Sequence, residues 1–121
     1  MIEPIIFSRA RLLGGYTIAD IVRTDEPLLD PLGRTAVAHT EITGREFLIT
    51  IYNQDDKEWS VSLYHEILEA MTVASADPPP SVIEFNEGDF ERAGYKAYDQ
   101  FGPASPESLN RMLQFYGFKG V

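Results

Sequence analysis

The chain has 121 residues, of which 44% are hydrophobic, and carries a formal charge of −9. That length fits a single globular domain, residues 1–121, able to bury a core of its own. The acidic balance argues against nucleic acid and anionic membranes as partners and favours cations or basic peptides. The chain has no cysteine, which excludes disulfides and thiolate metal sites and fits a cytoplasmic address. No apolar run approaches the roughly 18 residues of a membrane span. The opening Met1-Ile2-Glu3-Pro4 lacks the basic start of a signal peptide.

Taken in order, Ile2 to Phe7 is a short apolar stretch whose Pro4 suggests an edge strand. Arg9 to Leu13 fits a helical turn ended by Gly14-Gly15. Tyr16 to Val22 carries Ile18, Ile21 and Val22, a spacing shared by a strand and a short helix. Asp25 to Gly33, with Pro27 and Pro31, reads as loop. Thr35 to Ile42 and Arg45 to Tyr52 are β-rich runs joined by Thr43-Gly44, a hairpin pattern. Phe47, Ile49 and Ile51 alternate with Leu48, Thr50 and Tyr52, so one face belongs to a core.

A helix is expected from Lys57 to Ser75, with Asp55 or Asp56 as N-cap. Trp59, Leu63, Ile67, Ala70 and Ala74 form its buried stripe. Asp77-Pro78-Pro79-Pro80 stops it. Ser81 to Phe85 reads as extended. Asn86 caps a second helix that runs to about Phe101 and carries Phe90, Ala93 and Ala97. Ser105-Pro106 opens a third, with Leu109, Met112, Leu113 and Tyr116 on its apolar face and Gly117 at its end. The fold class is therefore α+β: a small N-terminal antiparallel or mixed sheet, then three helices.

The first helix holds His65-Glu66-Ile67-Leu68-Glu69, an H-E-x-x-E pattern. Helical residues four apart lie about 40° from each other around the axis, so His65 and Glu69 share a face. An imidazole and a carboxylate so placed can grip one metal ion, with Glu66 beside them as a general base on water. A bare H-E-x-x-E on an amphipathic helix is more often a solvated face than a site.

The order of elements adds context. A strand precedes this helix, and Asn86-Glu87-Gly88 opens the next one. Over roughly residues 45–95 this resembles the zincin metallopeptidases, and most closely their gluzincin branch. In that branch one helix supplies H-E-x-x-H and the next supplies a glutamate, often within N-E-G. Ile49-Thr50-Ile51-Tyr52 followed by Leu63-Tyr64-His65-Glu66 also looks like small bacterial and phage zincin-like proteins. The resemblance implies a metal site of His65, Glu69 and Glu87, with Glu66 as catalytic base in peptide hydrolysis. It also implies that the strand at 45–52 runs along the active helix at the sheet edge, open to an extended peptide.

This chain departs from the family pattern at Glu69, which stands where a second histidine is usual. A second carboxylate neutralises zinc further and shifts preference toward manganese, or toward an empty site on an inactive scaffold. The alternative function is thus a non-catalytic protein- or peptide-binding module. Glu84, Glu91 and His39 are the stand-ins for Glu87 as third ligand. Tyr95 and Tyr98 are candidates to bond a substrate oxyanion, although packing is the simpler role for both.

Overall fold

The computed structural model describes residues 3–120. A 3-10 turn, Pro4–Phe7, replaces the expected N-terminal strand; Ile2 lies outside the described residues. Proline at the turn's start fits the fixed φ that a helical first residue needs. The turn's last residue, Phe7, is buried and packs on Trp59 with ring centroids 5.8 Å apart. A second 3-10 turn falls at Leu13–Gly15, later than the helical turn expected over Arg9 to Leu13. The stretch expected to be all loop contains β2 (Leu28–Leu29), which pairs antiparallel with β3 (Thr35–Ala36). The expected run from Thr35 to Ile42 is thereby split, β3 leaving the hairpin that the remainder forms.

The main sheet has three strands in the order β1 (Thr17–Thr24), β5 (Glu46–Tyr52), β4 (Ala38–Thr43). It is mixed: β1 runs parallel to β5, and β4 runs antiparallel to it. The hairpin turn is Gly44-Arg45, with φ +62° at Gly44, the first central position, as a II′ turn requires. Phe47, Ile49 and Ile51 are fully buried under the helices, while Glu46 and Leu48 are exposed on the other face.

Placing the strand at 45–52 on the edge proves incorrect. β5 is central, and the edge strand nearer the helices is β4. The reason lies in β1. Its register against β5 shifts between Ile18 and Asp20. Ile18 therefore pairs with Phe47 and Ile21 with Ile49, both on the core face although they are three residues apart. A bulge that inserts one residue changes the side-chain period locally, which is why this stretch reads equally as helix.

The helices are α1 (Asp56–Ala74), α2 (Glu87–Phe101) and α3 (Pro106–Phe115). Asp55 caps α1 by accepting from the Glu58 amide. Asn86 and Asp89 form a reciprocal capping box at α2, and Ser105 with Ser108 does the same at α3. Residues 80–84 form a turn and not the expected extended run; the Val82 amide bonds back to the Pro79 carbonyl at 3.1 Å. α1 lies on the sheet, with α2 and α3 packed against its other sides. Ser60 Oγ accepts from the Ala104 amide at 3.0 Å, and Tyr64 donates to the Gly102 carbonyl at 2.8 Å. These two bonds fix the α2–α3 connection to α1. No described helix is long and apolar enough to cross a membrane.

α1 and α2 approach each other closely at Gly94. A Cβ there would fall 2.7 Å from the Val61 carbonyl oxygen and 3.4 Å from His65 Cβ. Main chain cannot yield as a flexible side chain can, so any larger residue forces the helices apart. Gly94→Ala should therefore lower stability by about 1–3 kcal/mol, despite alanine's better helix propensity. Urea unfolding of the two proteins measures this, and equal midpoints would contradict it.

Candidate metal centre

His65 and Glu69 stand one turn apart on α1, flanking the buried stripe as their spacing implies. Glu87 is the first residue of α2, where the positive end of the helix dipole favours a carboxylate. The close helix contact carries it to the imidazole. Glu87 Oε1 lies 2.7 Å from His65 Nε2, and Glu69 Oε2 lies 3.5 Å from the same atom. The His65 side chain is only 16% exposed, and its ring stacks on Phe90 with planes 9° apart. Nε2 is wholly buried between the two carboxylates.

Glu66 turns the other way, toward the sheet. The Thr40 hydroxyl of β4 donates to Glu66 Oε1 at 2.8 Å. His65, Glu66 and Glu69 present donor atoms that all lie within 4.8 Å of one another. Glu87 stands outside that group of three and joins it through its 2.7 Å approach to His65 Nε2.

The charges interact strongly. Burial pulls the imidazole of His65 down, but Glu69 first, then Glu66 and Glu87, outweigh it and raise its pKa above 6.5. Burial raises the carboxyl of Glu66, against the opposing Thr40 bond and His65. Glu69 is lowered, chiefly by His65. Glu87 is raised by burial and by the neighbouring Glu69. Two carboxylates that meet over one ring nitrogen call for a positive charge there. A proton on His65 meets that need in part. A divalent ion, for which imidazole and carboxylate are both natural donors, meets it better. The buried Nε2, with carboxylates from two helices beside it, therefore fits a metal-donor role.

Two cavities flank the centre, of about 390 and 230 Å³, and share Ala38, Glu66 and Glu87 in their walls. Together they make a trough along the outer edge of β4. The Val37 carbonyl accepts from the Tyr52 amide. By antiparallel alternation, the main-chain N–H and C=O of Ala38, Thr40 and Ile42 then point away from β5, toward the trough. Among the described residues, no Lys or Arg lines either cavity.

The stand-in ligands are not brought into the cluster. His39 borders the smaller cavity and its charge acts on the Glu66 carboxyl, but its alternation with Thr40 keeps it out of the donor group. Glu84 sits in the turn before α2. Glu91 lines the larger cavity, as does Tyr95, whose hydroxyl donates to Glu58 at 2.8 Å and ties α2 to α1. Tyr98 packs against the core beneath the Lys57 ammonium. Thr40 and Gly94 escape sequence reading. The hairpin register, which sets Thr40 opposite the buried Ile49, is the one signal that points Thr40 at α1.

The raised pKa of His65 fixes the sign of a pH effect. The folded state holds the His65 proton more tightly than the unfolded chain. Its stabilising contribution is present below pH 6.5 and lost as the pH rises through the raised value. Chelator-treated protein should therefore melt at progressively lower temperature over that range, and His65→Gln should remove this part of the slope. A profile unchanged by the substitution would show that the His65 proton plays no such role. No family model, no curated protein and no solved structure matches this chain.

Proposed function

We propose that the chain is a metal-dependent peptide hydrolase of the zincin-like type, with His65, Glu69 and Glu87 as ligands and Glu66 as general base. One observation carries this reading: a buried imidazole nitrogen faced by carboxylate oxygens from two helices. A bound zinc ion supplies Lewis acidity, polarising a peptide carbonyl and making water more acidic. The chain's residues do the remainder. Glu66 takes a proton from the attacking water and hands it to the leaving amine. Burial raises its pKa toward the range in which a carboxylate both accepts and returns a proton. The β4 edge pairs with the peptide backbone as an added strand. Glu58 and Glu91 on the cavity wall favour a peptide with basic side chains. The absence of cysteine supports a reducing, cytoplasmic setting.

Glu69 tempers the proposal. Its charge weakens the ion as a Lewis acid and favours manganese beside zinc. This supports a second reading, a module that binds peptide in the same trough without cleaving it. In that reading the His65–Glu87 contact serves to hold α2 on α1.

Elemental analysis of the purified protein, then loading with zinc or manganese, separates the two. The hydrolase reading expects about one ion per chain. Glu66→Gln should keep the ion and abolish peptide hydrolysis, because the amide cannot take a proton. His65→Ala should lose both. Glu69→His should tighten zinc, since neutral imidazole binds it without cancelling its charge. Failure of the wild type to take up either ion would leave only the binding module.

A further inference from the structure

We propose that Thr40 is a positioning residue that keeps Glu66 in the role of base and out of the ligand set. This rests on the metal-centre reading above. The H-E-x-x-E pattern has a hazard of its own. His65, Glu66 and Glu69 hold donor atoms within 4.8 Å of one another. Two donors at about 2.0–2.2 Å from one ion are at most about 4.4 Å apart. Glu66 therefore stands at the margin of ligation, a small rotation from joining Glu69. A ligating Glu66 would share its charge with the ion and become a much weaker base toward water. It would also add a further negative charge to a centre already short of Lewis acidity.

The Thr40 hydroxyl opposes that rotation. It donates to Glu66 Oε1 at 2.8 Å and so holds one carboxylate oxygen on the sheet side of the trough. Thr40 is itself fixed by the pairing of β4 with β5, opposite Ile49. Its β-branched side chain has few rotamers, so the hydroxyl is a stiff anchor. The main chain of the same residue faces the trough, where an extended peptide would pair. Substrate docking and base orientation therefore meet at one residue.

The test compares wild type, Thr40→Val, Thr40→Ser and the double variant Thr40→Val with Glu66→Gln, each loaded with Zn²⁺ and, separately, Co²⁺. Affinity is read by chelator competition, coordination by the visible spectrum of the cobalt forms, and turnover on a basic peptide by product release. Valine keeps the shape of threonine without its hydroxyl. Thr40→Val should bind zinc measurably more tightly, because the freed Glu66 adds a ligand. It should also change the cobalt spectrum and lose turnover. Thr40→Ser, which retains the hydroxyl, should match wild type. In the double variant the gain in affinity should vanish, because it comes from Glu66. Thr40→Ala replaces Thr40→Val if valine disturbs the strand. Equal affinity and spectra for wild type and Thr40→Val would overturn the inference and leave the metal centre standing. So would a Thr40→Ser protein that behaves like Thr40→Val. A wild type that binds neither ion removes the metal centre and this inference with it.

Discussion

The contact of α2 with α1 at Gly94 is the constraint on which the centre depends. A helix normally keeps its neighbour at a distance set by side chains. Here a missing Cβ lets the backbone of α2 come close to the Val61 carbonyl and the stem of His65. Ala93 and Ala97 continue the small-residue face in the buried region. The Tyr95–Glu58 bond closes the same seam from the solvent side. Because the helices are this close, the first residue of α2 reaches an imidazole that lies on the flank of α1.

That proximity sets the electrostatics. Glu87 is largely exposed and would be an ordinary solvated carboxylate elsewhere; here it faces Glu69 across one ring nitrogen. The two acids respond oppositely, Glu69 falling and Glu87 rising, as expected when two like charges share one partner. Glu66 differs from both. It is the more deeply set, its hydrogen bond runs to the sheet, and its pKa rises from burial. The three carboxylates thus have three environments, which is the condition for three separate roles.

The sheet provides the second half of the centre. β4 contributes the Thr40 hydroxyl on its inner face and free main-chain groups along its edge. It can do so because β5 is central, held between β1 and β4, so that the hairpin partner and not β5 itself borders the trough. The bulge in β1 keeps Ile18 and Ile21 on one face and completes the layer under α1.

The three helices were legible in the sequence to within a residue or two, because their caps are chemical signals: Asp55, Asn86 and Ser105 each bond the first turn of the helix that follows. The hairpin was legible from Gly44 and the alternation of Phe47, Ile49 and Ile51. His65 and Glu69 could be paired because helical spacing is rigid over one turn. The tertiary structure alone decided the rest. Strand order depended on a bulge, which hides a period of two inside a spacing of three. The meeting of Glu87 with His65 depended on how near two helices can come, and that distance was set by one absent methyl group at Gly94. Thr40 reached Glu66 only once sheet and helix were packed face to face. Local pattern fixes what a segment forms; which side chains converge across segments follows from packing, which no local spacing records.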